Sequence, residues 1–268
     1  MHEGERYTMK DPISEWPRIK KELRTRLVLL LINYEGILVP APPSLSLMDH
    51  NLRELLISLR SKPNLTVGVI SSLKLSCLQN SVRINGMYYA GNHGLEIRGP
   101  EIEFIHPACT QDTPELQSLK TSLQEELSAI NGITVEDNGL SLYLYYPMLD
   151  NSQKDMVKER VNALARPSVS GGKLRIVEGK DSMEVHQMVN WDKGRVVKML
   201  ENMVATRKPY PLVIYFGADP VMDEEAFRAI RGKGIGVLVG RKNTTSAGYY
   251  LSGHGEVVDF LLLLESFY

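Results

Sequence analysis

The stretch that most constrains this 268-residue chain is residues 27–32, six consecutive apolar residues that stop at Asn33-Tyr34-Glu35-Gly36. Such a run is far short of the roughly 20 residues needed to cross a bilayer. Its length suits a strand buried on both faces, as in a parallel sheet. In open α/β sheets ligands bind beyond the carboxyl ends of the strands, where this chain places its polar cluster. Taken alone, the segment is equally a buried strand leaving through a polar turn, so the decision rests on what other stretches supply.

Three further apolar runs follow: LTVGVI at 65–70, PLVIYF at 211–216 and GIGVLVG at 234–240. PAPPS at 40–44 reads as a rigid loop. Asp49 is placed to cap a helix with Leu52, Leu55, Leu56 and Leu59 on one face, and MYYAGNHGLEIR at 87–98 reads as strand, glycine turn, strand. Alternation of strands with helices implies a parallel sheet with right-handed crossovers. Residues 102–185 change character. Leu116, Leu119, Leu123, Leu127 and Ile130 mark one amphipathic helix, residues 151–165 a second, and ITVE, SLYLYY, KLRIV and SMEVH are short strands. The crossover pattern then resumes, with Asp192 opening a helix and a closing helix near the end of the sequence. The expected fold class is α/β: a doubly wound parallel-sheet core of residues 25–101 and 186–268, an inserted α+β module at 102–185, and an N-terminal extension at 1–24.

The net charge of −1, from 31 basic and 32 acidic residues, gives no electrostatic case for nucleic acid or an anionic membrane. The two cysteines, Cys77 and Cys109, are too few for a disulfide framework and suit a reducing, cytoplasmic setting. Residues 1–26 are polar and charged, without the pattern of a signal peptide.

Polar groups gather at the ends of the expected strands: Asn33 and Glu35, Ser71, and Asp219 with Asp223; Lys193 sits at a helix start. Two acids four residues apart at a strand-to-helix turn can hold a hard cation such as magnesium. A serine hydroxyl and an ammonium suit phosphate oxygens. Each residue also has a bland reading, as a helix cap, a solvated lysine or a loop acid. Their order along an α/β chain is what argues for a site.

Those blocks, NYEGI at 33–37, VISS at 69–72, WDKG at 191–194 and GADPVMDEEAF at 217–227, resemble the four motifs of the haloacid-dehalogenase (HAD) superfamily of phosphohydrolases. GNHGLEI at 91–97, GKDSMEV at 179–185 and TTSAGYYL at 244–251 narrow the resemblance to its trehalose-6-phosphate phosphatases, over about residues 27–264. The resemblance implies a HAD-like core, with the insert acting as a cap that closes over a sugar phosphate such as trehalose 6-phosphate. It implies Ser71 and Lys193 on the phosphate, and Lys180, Glu184 and His93 toward the sugar. Asp219, Asp223 and residue 33 would hold magnesium.

The departures carry as much information. The family's nucleophilic aspartate is Asn33, whose amide is neither an anion nor a competent nucleophile. Its acid–base aspartate is Glu35, one methylene longer. Ile37 replaces a threonine, Leu73 an arginine, His186-Gln187 a basic residue and proline, and Tyr145-Tyr146-Pro147 a His-Tyr-Arg-like triplet. The last block carries one extra residue. Treating Ala218 as the insertion restores the four-residue spacing of Asp219 and Asp223 and aligns DEEAF without a gap; the alternative, Ala218 in place of the first aspartate, loses a ligand. Two functions follow as expectations. One is a catalytically impaired relative that binds a sugar phosphate or a partner such as a trehalose-phosphate synthase, with a weakened magnesium site. The other is an active magnesium-dependent trehalose-6-phosphate phosphatase.

Overall fold

A computed structural model describes residues 9–40, 47–110, 113–179, 181–205, 210–219, 221–240 and 244–268. The chain divides into two compact units, one containing the residues up to Phe104 and those from Trp191 onward, the other Ile105–Asn190.

In the first unit the opening run forms β1 (Val28–Asn33), buried at all six positions. It lies between β2 (Leu65–Ile70) and β10 (Leu212–Gly217), parallel to both. Outward from β2 come β3 (Tyr88–Gly91), β4 (Glu96–Gly99) and β5 (Ile102–Ile105); outward from β10 come β11 (Ile235–Val239) and β12 (Tyr249–Leu251). The run from β12 to β3 is parallel, and β4 turns back antiparallel on β3.

Alternation along β1 divides the core in two, because successive side chains point to opposite faces. Val28, Leu30 and Ile32 join the helices α1 (Trp16–Leu23), α2 (His50–Ser61), α3 (Leu75–Val82) and α8 (His254–Phe267). Leu29 and Leu31 join α6 (Lys193–Val204) and α7 (Glu224–Ile230). Asp49 caps α2 by accepting from the Asn51 and Leu52 amides, as its position before the leucine stripe predicts. The loop expected at 40–44 lies outside the described residues apart from Pro40.

The second unit has its own core. α4 (Pro114–Leu127) and α5 (Asn151–Ser170) pack on an antiparallel sheet in the order β6 (Thr134–Asp137), β7 (Ser141–Tyr145), β9 (Ser182–Gln187), β8 (Leu174–Glu178). Leu142, Leu144, Met183 and Val185 point to the helices.

The unit boundaries differ from the sequence expectation at three places. Residues 102–104 belong to the first unit because β5 extends its sheet. Residues 186–190 belong to the second because β9 runs on to Gln187, with His186 opposite Ser141. Residues 9–24, expected as an extension, are packed into the first unit. Trp16, Ile19 and Leu23 are buried, Trp16 meets Phe260 and Phe267 edge-on, and Lys10 bridges to Tyr249 at the sheet edge. Amphipathic spacing over two turns is too short a signal to show what a helix will pack against.

Candidate functional site

The strand order reverses between β1 and β10: the chain moves outward through β2 and β3 on one side and through β11 and β12 on the other. The loops leaving β1, β2 and β10 diverge around this switch point, where such sheets bind ligands. Asn33 ends β1, Ser71 follows β2, and Ala218 and Asp219 follow β10. Gly36 allows the close approach of two of these loops. Its φ is +77°, and a Cβ there would stand 2.9 Å from the Ala218 Cβ, so any side chain would be strained and crowded.

Asn33, Ser71, Lys193 and Asp223 are all buried. The Lys193 ammonium donates to Asn33 Oδ1 at 3.0 Å and to Asp223 Oδ1 at 2.5 Å. Burial opposes the charge of Lys193, but Asp223 and then Glu35 outweigh it and hold the pKa above the ordinary lysine value. Asp223 is fully satisfied: Oδ1 also accepts from the Tyr215 hydroxyl at 2.8 Å, and Oδ2 from the amides of Ala218 and Asp219 at 2.8 and 2.9 Å. Burial, reinforced by Asp223, pushes the Tyr215 phenol well above its usual range.

The Asn33 amide has only one chemically sensible orientation. Its oxygen faces an ammonium, which can only donate, and its Nδ2 donates at 2.9 Å to the Glu35 carbonyl, which can only accept. An ionised aspartate in this pose would set an oxygen against the Glu35 carbonyl, a contact that needs a proton or a cation to bridge it.

Glu35 turns to the end of β2. Its Oε1 accepts from the Ser71 hydroxyl, from the Ser72 amide at 2.8 Å and from the Ser72 hydroxyl at 2.9 Å. Asp219 accepts through Oδ1 from the amides of Val221 and Met222, at 2.7 and 2.8 Å, closing its own turn.

The GNHG segment is tied to the same strand end. His93 N donates to Ser71 O and Asn92 N to Leu73 O, while Asn92 Nδ2 donates to Glu96. These bonds hold Asn92 and His93 in the left-handed region, at φ 48° and 56°. Trp191 stacks on Phe104 and donates to the Gly94 carbonyl, fixing the approach to α6 and Lys193. The tail loop is anchored by Glu224, which accepts from Thr245 Oγ1 and the Ser246 amide.

The sequence expectations thus divide. Asn33, Glu35, Ser71, Lys193, Asp219 and Asp223 form one linked group. Glu184 belongs to the second unit, where it accepts from Ser141 at 2.8 Å, and Lys180 lies outside the described residues. Two participants were not foreseen as site residues: Ser72, visible beforehand only as the second serine of VISS, and Tyr215, a hydroxyl just before GADP with no signal beyond its position.

Magnesium, which phosphatases of this superfamily generally use, would have to compete here with hydrogen bonds that the candidate ligands already make. Both oxygens of Asp223 are taken by donors, the Asn33 oxygen serves Lys193, and one Asp219 oxygen closes a turn. Of the three expected ligands, Asn33, Asp219 and Asp223, only Asp219 keeps a side-chain oxygen with no hydrogen bond among the described residues, whereas magnesium, which retains several waters, is usually held by one or two carboxylates.

A doubly wound sheet with strand-end polar groups at its switch point and an inserted α+β unit defines a HAD-like fold. The trehalose-phosphatase family model matches residues 31–254, and the chain belongs to that family. A trehalose 6-phosphate phosphatase of Zea mays is 27% identical over 258 residues, covering 89% of this chain and 70% of the relative. The solved C-terminal domain of a Candida albicans trehalose-6-phosphate phosphatase superposes with a TM-score of 0.83 at 20% identity, covering 97% of this chain and 99% of that one. The C-terminal domain of a Candida albicans trehalose synthase regulatory protein gives 0.64 at 15% identity, covering 92% and 97%.

Proposed function

We propose that this chain is a trehalose-phosphatase relative that has lost phosphoryl transfer and acts by binding a sugar phosphate, of which trehalose 6-phosphate is the first candidate. The observation that carries this is Asn33. At the position of the attacking carboxylate stands an amide whose two polar atoms are already engaged by Lys193 and the Glu35 carbonyl. It has no charge with which to attack phosphorus or to hold a cation.

Retention of Ser71 and Lys193 supports phosphate recognition. On the sugar side, Glu184 shares a sheet face with Tyr143 and Tyr145, whose rings stack at 6.4 Å. That face suits hydroxyl and ring contacts, with His93 and Lys180 as further sugar-side candidates. No helix among the described residues is long and apolar enough to cross a membrane, and the proposed compartment is the cytoplasm. A partner version has the protein report sugar phosphate to a trehalose-phosphate synthase; the likeness to the Candida albicans regulatory domain motivates testing it by co-purification with and without trehalose 6-phosphate.

The test is phosphate release from trehalose 6-phosphate with magnesium, comparing the wild type with Asn33→Asp/Glu35→Asp. Negligible wild-type turnover, partial rescue in the double variant and a ligand-induced rise in wild-type melting temperature are expected. Robust wild-type turnover would establish the competing reading, an active magnesium-dependent phosphatase. The same variants test the metal argument. Ten dissociation constants of magnesium should stabilise the aspartate-bearing variant by about 1.4 kcal/mol, with little effect on the wild type.

A further inference from the structure

Three donors converge on one point at the end of β2: the Ser71 hydroxyl, the Ser72 amide and the Ser72 hydroxyl. The Ser71 donor is fixed independently of what it binds. The Ser71 amide donates to Ala90 O, the Ser71 carbonyl accepts from His93 N, and the Ser71 hydroxyl oxygen accepts from the Leu73 amide at 3.0 Å. That hydroxyl therefore has its proton left to donate outward. A preset cluster of donors from one loop is an oxyanion seat. Its occupant is a carboxylate oxygen of the chain's own Glu35.

Side-chain length brings it there. The backbone at Glu35 is held on both sides: Tyr34 N donates to Ile70 O, Gly36 N to Val39 O, and the Glu35 carbonyl accepts from Asn33. With the backbone pinned, an aspartate at this position would be shorter by one carbon–carbon bond, about 1.5 Å, and would not reach all three donors.

We infer that Glu35 is an internal ligand of the Ser71–Ser72 seat, so that a phosphate group reaching this site must first displace the Glu35 carboxylate. This rests on the sugar-phosphate-binding reading and adds a property to it, since affinity is set by how often Glu35 vacates its place. The apparent dissociation constant equals the intrinsic one divided by the vacant fraction. Two anions cannot share the seat, and the ligand that fits is a tetrahedral phosphate, free or esterified.

The experiment is calorimetric titration of the whole protein with inorganic phosphate and, separately, with trehalose 6-phosphate. Wild type, Glu35→Asp and Glu35→Asp/Ser72→Ala are compared, with the Ser72 amide proton followed by NMR. Glu35→Asp keeps the charge and shortens the reach, so a gain in affinity reports a vacated seat and not relieved repulsion. If the seat is vacant about a tenth of the time in the wild type, the gain is about tenfold. It should be accompanied by a shift of the Ser72 resonance and cancelled by the serine change. A gain for both ligands marks the seat as phosphate-selective; a gain confined to the ester places the recognition in the sugar contacts and overturns the inference. Equal affinity of wild type and Glu35→Asp overturns it as well. Should Glu35→Asp fail to fold, Glu35→Ala with and without Ser72→Ala is read the same way, the loss on adding Ser72→Ala being decisive. Phosphate release measured on the same samples keeps the two ideas separate. Wild-type turnover would remove the binding-protein reading, while the affinity ratio alone judges Glu35.

Discussion

Lys193 and Asp223 form an ion pair in which both side chains are withdrawn from water, 4% and 0% exposed. Desolvating two charges costs several kcal/mol, which their attraction and the extra bonds from Tyr215, Ala218 and Asp219 offset. Removing one partner leaves the other charge buried and unmatched. Lys193→Met should therefore lower unfolding free energy by about 3–5 kcal/mol in urea titrations, and Lys193→Met/Asp223→Asn should lose less than the single variants add up to. Additivity would show that the pair is not coupled. In the second unit, Tyr146 is fully buried and its hydroxyl has no hydrogen-bond partner among the described residues. Burial, then Glu178 and Asp181, push its pKa up to about 12. The folded state thus holds the phenol proton more tightly than the unfolded chain does. The stabilisation is complete below the unfolded value near 10 and is lost as pH rises toward about 12. Tyr146→Phe should flatten the decline of stability over that window and cost nothing near neutrality, where an unsatisfied hydroxyl is itself worth about 1–3 kcal/mol of penalty. Urea midpoints at pH 8 and pH 11 check both.

At the scale of elements, β1 and β2 are closely packed under the site. A Cβ on Gly68 would lie 2.8 Å from Leu31 Cδ2 and 3.2 Å from the Tyr88 Cβ, in a sheet with strands packed on both sides. Gly68→Ala should cost about 1–3 kcal/mol by overpacking, and Gly68→Ala/Leu31→Val should recover part of it; denaturant unfolding gives the comparison. Strands were the most legible elements. An unbroken apolar run has few uses except burial on both faces, and the runs at 27–32, 65–70, 211–216 and 234–240 all became parallel strands. Helix starts were legible where a cap residue preceded a stripe, as at Asp49 and Asp192. Residues 102–105 and 186–187 were harder, because a strand's sheet membership depends on its hydrogen-bond partners and not on its own pattern.

Across the whole molecule, each of the two units buries its own apolar core, which implies two units of stability. Leu142 is fully buried in the second, so Leu142→Ala should destabilise that unit by about 2–5 kcal/mol. Hydrogen exchange should then speed up at β7 and β9 amides while β1 amides in the first unit keep their protection; equal loss in both would mean the units unfold as one. The sequence by itself determined the α/β class, the inserted module, the family and the chemical fact that residue 33 is an amide. Those follow from local pattern, residue identity and motif order. Only the tertiary structure decided what that amide faces, that Asp223 spends both oxygens on Lys193, Tyr215 and two backbone amides, and that Glu35 occupies the seat between Ser71 and Ser72. These are contacts between residues far apart in the chain, set by how the loops at a strand switch point approach one another. A list of side chains carries no record of that distance.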